Sequence, residues 1–105
     1  MIKKILLTGS SGFLGSYILE FLINKNYEVT KVGRSVKSDI KIDLSLNKLT
    51  KIDVDCVIHV AGKAHVIPQT EEEKNEFFRV NYIGTNNLLY GLDTKKLQSI
   101  IFIST

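Results

Sequence analysis

The chain has 105 residues, 44% of them hydrophobic and 24% charged, with a formal net charge of +3. That length allows one domain and one core, and the balance excludes a disordered or low-complexity chain. The single Cys56 excludes a disulfide framework or a cysteine metal cluster, no apolar run is long enough to span a membrane, and no basic block or basic-aromatic interleaving points to nucleic acid.

Lys4-Ile5-Leu6-Leu7-Thr8 reads as a short strand leading into Gly9-Ser10-Ser11-Gly12-Phe13-Leu14-Gly15, a glycine-rich turn that opens a helix. Ile5, Leu6 and Leu7 suit a strand covered on both faces. Glycines let the main chain bend sharply and approach a pyrophosphate closely. The helix N-terminus behind them offers unpaired N–H groups and the positive end of its dipole. The plainer use of this spacing is a tight turn with a close-packed glycine; the strand and helix flanking it favour dinucleotide binding, with Gly9, Ser11, Gly12, Phe13, Leu14 and Gly15 as the binding residues. Phe13, Leu14, Tyr17, Ile18, Phe21 and Leu22 recur at helical steps, predicting an amphipathic helix capped by Ser11 and ending near Asn24-Lys25-Asn26.

Glu28 to Gly33 is the second predicted strand, closed by Val32-Gly33-Arg34-Ser35. In NAD sites a carboxylate in this region accepts hydrogen bonds from the adenosine ribose. None is present here. Arg34, through a charge-assisted fork, and Ser35, through its hydroxyl, suit a 2′-phosphate instead, which favours NADP over NAD. The alternative is that Arg34 is a solvated loop charge.

Ile40 to Leu44 follows as a short third strand, and Leu46, Leu49 and Ile52 suggest one or two turns of helix. Asp55 to Gly62 is a fourth strand, apolar on both faces and rich in β-branched residues. After Pro68, Thr70 with Glu73 predicts a capping box, and Glu71-Glu72-Glu73 fits a solvated first helical turn rather than a metal site. A long helix then carries Phe77, Phe78, Val80, Ile83, Leu88 and Leu89 to about Leu92, and a last strand runs from Ser99 to Ser104. Such alternation implies an α/β, Rossmann-like doubly wound parallel sheet of order 3-2-1-4-5 with helices on both faces. Its ligand lies where the order reverses, between strands one and four, which places Gly9 to Gly15 beside Ala61 to His65.

On these residues the chain resembles, over its whole length, the extended short-chain dehydrogenase/reductases, specifically the NAD-dependent epimerase/dehydratase family of nucleotide-sugar enzymes. Thr8 to Gly15 is similar to the family's T-G-x-x-G-x-x-G turn, and Asp43-Leu44 to its acidic-plus-apolar pair beside the adenine. Val57 to Val66 resembles the fourth-strand motif, which implies that Val60, Ala61, Gly62 and Lys63 pass next to the cofactor. Asn81-Tyr82-Ile83-Gly84-Thr85 resembles the N-x-x-G-T segment, whose Asn81 braces the centre of the sheet. The resemblance further implies hydride exchange between a sugar carbon and nicotinamide, with Thr105, or less favourably Ser104, as counterpart of the catalytic Ser/Thr at the end of strand five.

Two departures matter. Gly33 stands where NAD-binding members usually carry Asp, and the family's Tyr-x-x-x-Lys pair belongs to a helix after strand five, beyond Thr105. The literal Tyr27-Glu28-Val29-Thr30-Lys31 falls on the second strand, where residues four apart are separated by roughly 13 Å, against roughly 5–6 Å on a helix. It supplies no general base. His59, inside a strand, reads as a core histidine; His65 reads first as a loop residue and second as a neighbour of cofactor or substrate; Lys63 would reach a phosphate or sugar hydroxyl; Cys56 reads as buried.

The expectation is therefore a partial NAD(P)-binding Rossmann domain over residues 1–105, cytoplasmic, without a substrate domain and catalytically incomplete by itself. A free-standing dinucleotide-binding regulatory module and a non-functional gene remnant are the alternatives. The expected partners are a dinucleotide and, for a full enzyme, a nucleotide sugar. The last strand, with Ile100, Ile101, Phe102 and Ile103 and no gatekeeping charge, predicts marginal stability or homo-association.

Overall fold

Alternation of side chains along β1 (Lys4–Thr8) sets the two layers of the molecule. Ile5 and Leu7 face one side of the sheet and pack with Leu22, Cys56 and Ile58; Leu6 faces the other, against Val32, Leu49, Val54, Val57, Leu88 and Leu92. The structure, a computed structural model, describes residues 1–60 and 69–103. The sites expected at Ala61, Gly62, Lys63, His65 and Thr105, and Ser104 with them, lie outside the described residues.

β2 (Glu28–Gly33), β3 (Ile40–Lys41), β4 (Cys56–His59) and β5 (Ser99–Phe102) join β1 in a five-stranded sheet of order β3-β2-β1-β4-β5, every pairing parallel. This is the doubly wound arrangement that the alternation of elements predicts. Thr8, the last residue of β1, lies opposite Val32 of β2 and His59 of β4. The order reverses there, so the end of β1 opens onto the crevice in which such sheets bind ligands.

α1 (Phe13–Asn24) connects β1 to β2 and stops where the Asn-Lys-Asn run predicts, with Asn26 at a φ of 64° turning the chain into β2. Ser11 does not cap it. The N-cap is Gly12, in extended conformation, and no side-chain hydrogen bond closes this end of the helix.

β3 is shorter than the predicted Ile40 to Leu44. Ile42 still donates to the Gly33 carbonyl at 2.9 Å, but Asp43 then folds the chain back: its carboxylate accepts from the Ser45 amide at 3.0 Å and the Ser45 hydroxyl at 2.6 Å. The helical turns expected around Leu46, Leu49 and Ile52 are absent, because this stretch spends its hydrogen bonds on a neighbouring helix. Leu49 donates to the Asn87 carbonyl and Ile52 to that of Gly91, and Ile52 forms a parallel bridge with Leu92. Gly91 permits the approach, since a Cβ there would lie 2.7 Å from the Thr50 carbonyl oxygen and 2.8 Å from Leu49 Cβ.

The long helix expected after Pro68 is three pieces: α2 (Glu71–Phe78), a π-helical turn over Arg79–Ile83, and α3 (Gly84–Tyr90). Thr70 caps α2 by accepting from the Glu73 amide at 3.0 Å, and Glu71, Glu72 and Glu73 occupy the first turn. Only that half of the capping box is present, since the Glu73 carboxylate meets the Thr70 hydroxyl at 3.3 Å rather than its amide. At the π turn the Gly84 amide donates five residues back to the Arg79 carbonyl, while the Thr85 hydroxyl takes the Asn81 carbonyl at 2.7 Å. The helix ends at Tyr90 rather than Leu92, where the chain meets the Leu49–Thr50 backbone.

Candidate functional site

The turn between β1 and α1 is built from backbone. Gly9 has a φ of 73°, the left-handed region that favours glycine, and its carbonyl accepts from the Gly12 amide at 3.1 Å. A Cβ on Gly15 would lie 1.7 Å from that same carbonyl oxygen, so the first turn of α1 sits directly on the bend. Gly12 is looser, with 3.5 Å to spare. Ser11, Gly12, Phe13 and Leu14 are exposed around the uncapped helix end, Phe13 at 83% and set edge-on against Tyr17 with ring centres 5.2 Å apart. A concave bend with an uncapped helix N-terminus is a cradle for a phosphate group. The residues present therefore fit the pyrophosphate of a dinucleotide.

Behind the turn, at the C-terminal ends of β1 and β4, runs a chain of polar groups on the α3 side of the sheet. The Val60 amide donates to Thr8 Oγ1 at 2.9 Å, and Thr8 Oγ1 lies 2.6 Å from His59 Nδ1. His59 Nε2 lies 3.2 Å from Thr85 Oγ1, which donates to the Asn81 carbonyl. Thr8 is fully buried and His59 nearly so, and burial pushes the imidazole pKa below its ordinary value. These contacts fix the protons. With the Thr85 hydroxyl hydrogen committed to Asn81, Nε2 must carry the hydrogen that Thr85 accepts; a neutral ring then leaves Nδ1 to accept from Thr8. His59 is thus the satisfied core histidine that its strand position predicts, and Phe102 of β5 meets it edge-on at 5.8 Å.

At the ends of β2 and β3, Arg34 is exposed just past β2. The Ser45 hydroxyl first, then its amide, and the charges of Arg34 and of Arg79 on the π turn hold the Asp43 carboxyl below its ordinary value, against the opposing effect of partial burial. Arg34, Asp43 and Arg79 therefore share one neighbourhood although they come from three segments. Ser35 Oγ accepts from the Lys37 amide at 3.2 Å, which orders the loop after Arg34. A Cβ on Gly33 would meet only the Ser38 hydroxyl, at 3.4 Å. Asn87 Nδ2 donates to the Leu44 carbonyl at 2.6 Å and ties the Asp43-Leu44 segment to α3.

A model of the NAD dependent epimerase/dehydratase family matches residues 5–105. The chain belongs to that family. Among curated relatives of this epimerase/dehydratase chain, UDP-glucose 4-epimerase of Vibrio cholerae is 33% identical over 116 residues, covering 100% of the chain and 35% of the relative. UDP-N-acetyl-alpha-D-glucosaminuronate decarboxylase of Bacillus cytotoxicus is 31% identical, covering 100% and 37%. Among solved structures, UDP-N-acetylglucosamine 4-epimerase from Bacillus cereus superposes with a TM-score of 0.64 at 28% identity, over 98% of the chain and 40% of that protein. A short-chain dehydrogenase from Leptospira borgpetersenii with bound NAD+ gives 0.64 at 27%, over 86% and 44%. The chain thus spans about a third of the length of its curated epimerase relatives.

Of the residues expected from sequence, Gly9, Ser11, Gly12, Phe13, Leu14 and Gly15 form one turn, and Val60 lies behind it at the end of β4. Arg34, Ser35, Asp43 and Leu44 gather at the ends of β2 and β3. Asn81 sits on the π turn, its carbonyl engaged by Thr85. Three residues escaped the sequence reading as site members: Thr8, Thr85 and Arg79. The two threonines stood inside the T-G-x-x-G-x-x-G and N-x-x-G-T motifs, so a signal was present; Arg79 had none.

Proposed function

We propose that residues 1–105 form the dinucleotide-binding part of a nucleotide-sugar epimerase, dehydratase or reductase, with NADP preferred over NAD. The close seat of Gly15 on the Gly9 carbonyl, in front of an uncapped helix end, carries the reading. In it, the amides from Phe13 onward hold the pyrophosphate, Val60, Ala61, Gly62 and Lys63 border the nicotinamide side, and Asp43 with Leu44 borders the adenine. Arg34 and Ser35 take the 2′-phosphate, for which Gly33 leaves room. A nicotinamide cofactor would supply hydride exchange with a sugar carbon, and Thr105 would orient the sugar hydroxyl.

Tyr-x-x-x-Lys occurs in these 105 residues only at Tyr27 to Lys31, where Lys31 lies in β2 and Tyr27 immediately precedes it, so these residues alone bind cofactor and turn over no sugar. The relatives' printed activities on UDP-sugars support nucleotide sugars as the substrate class of the whole enzyme.

Calorimetric titration with NADPH and NADH, beside Arg34→Ala, tests this reading. NADPH is expected to bind more tightly, and Arg34→Ala to weaken NADPH by about tenfold or more while leaving NADH nearly unchanged, the worth of a charge-assisted hydrogen bond. Equal affinities insensitive to Arg34 would remove the preference for NADP; absence of binding to either would overturn the function.

A further inference from the structure

We infer that His59 is a positioning residue for dinucleotide binding: through Thr8 on one ring nitrogen and Thr85 on the other, it locks the strand end that launches the phosphate turn onto the π turn that carries Asn81. The inference rests on the proposed dinucleotide site and adds to it a residue that no contact with the cofactor would reveal.

The geometry is directional. Reading from the turn inward, the Val60 amide donates to Thr8, Thr8 donates to Nδ1, Nε2–H donates to Thr85, and Thr85 donates to the Asn81 carbonyl. Along these bonds each hydroxyl accepts from one neighbour and donates to the next, so the chain has a single sense with the neutral Nε2–H ring. Thr8 is followed directly by Gly9, whose left-handed backbone begins the bend. Whatever holds Thr8 therefore sets where the bend starts and the direction in which the α1 N-terminus points.

The partners of His59 are specific. Thr8 faces it from β1, Thr85 from α3 and the Phe102 ring from β5. Burial is the one cause shifting its pKa, with no charged group of a described residue contributing. A proton on Nδ1 would oblige the Thr8 hydroxyl to turn its own hydrogen away and would place a charge in a buried site. Charging the ring therefore reverses the Thr8 contact and buries a charge beside it, which weakens the strut.

The test uses NAD+, which tolerates acid and whose pyrophosphate keeps its charge throughout, and follows binding with falling pH for the wild-type chain, His59→Asn and His59→Gln. Asn offers a carbonyl near the Nδ1 position and restores the acceptor for Thr8 without titrating. Gln reaches Thr85 and abandons Thr8. At neutral pH, His59→Asn should bind NAD+ nearly as well as wild type and His59→Gln about fivefold more weakly, the worth of one hydrogen bond. Wild-type affinity should drop by a similar factor as the His59 ring resonance titrates, and neither variant should show that drop. Nitrogen-15 shifts of His59 should report protonated Nε2 and unprotonated Nδ1.

A wild-type affinity without pH dependence, a slope that survives in His59→Asn, or the opposite tautomer would overturn the positioning role while leaving dinucleotide binding intact. Absence of NAD+ binding by the wild type at every pH would instead overturn the dinucleotide site and this role with it. Should either His59 variant fail to fold, Thr8→Val removes the link to Nδ1 without touching the ring, and the same loss of affinity with a flattened slope is expected of it.

Discussion

The centre of the sheet and its β5 edge are built differently. Towards β2 and β4, side chains interlock: Leu6, Leu7, Val57 and Thr8 are wholly buried, and polar groups near the end of β1 are hydrogen-bonded in a defined sense. Towards β5, packing thins. Ile101 and Phe102 are exposed at 46% and 54%, and on the α1 side Tyr17, Phe21, Ile58, Ile101 and Ile103 line an open apolar groove. The contrast separates what these residues accomplish among themselves from what they leave uncovered.

The largest expected effect comes from the tightest point of the centre. Gly15→Val forces a side chain into the Gly9 carbonyl, so it should abolish cofactor binding and cost about 3 kcal/mol of stability, measured by denaturant unfolding with a parallel NAD+ titration. A variant that binds normally would mean the turn is not the cradle.

Next is a matched pair of substitutions. Leu6→Ala, at a fully buried position, should lose about 3 kcal/mol, whereas Ile101→Lys, at the exposed edge, should change unfolding by less than about 0.5 kcal/mol and reduce self-association in sedimentation. Comparable losses at the two positions would erase the distinction between centre and edge.

Acid should sharpen it further. An unfolded imidazole takes up its proton at about pH 6.5, whereas burial holds that of His59 lower, so stability should decline as pH falls below about 6.5. Asp43 and Asp55 act later. Their carboxyls are held below the ordinary value, Asp43 chiefly by the Ser45 hydroxyl and Asp55 chiefly by the Lys4 and then the Lys3 amide, each at 2.8 Å from Asp55. The stability they contribute is whole above about pH 4 and is lost as pH drops through their folded values. His59→Asn should remove the first decline and leave the second, as followed by urea unfolding across pH.

How much of this was legible in the sequence depends on how local the cause is. β1, α1 and β2 follow from apolar runs, helical spacing and a polar stop within a few residues, and the strand order follows from alternation and handedness. Residues 42–54 did not follow, because Leu46, Leu49 and Ile52 carry a helical spacing whose backbone partners, Asn87 and Gly91, lie about forty residues away. The π turn escaped for a related reason: the Thr85 hydroxyl competes for the Asn81 carbonyl, which apolar periodicity does not record. Ser11 had the chemistry of a cap, but the bend at Gly9 gives that position to Gly12. At the site, the glycines announced the turn, while the role of His59 between Thr8 and Thr85 appears only when residues 51 and 26 positions away are brought against its ring.

The proposed function rests on the glycine turn in front of the His59 strut acting as a dinucleotide cradle. Amide chemical shifts followed during titration with NAD+ test it most directly. Saturable changes are expected at Gly9 to Gly15 and Val60, with a second group at Arg34 to Ser35 and Asp43 to Leu44, and silence along the apolar groove beside β5. Changes confined to that groove, or no saturable change at the turn, would contradict it.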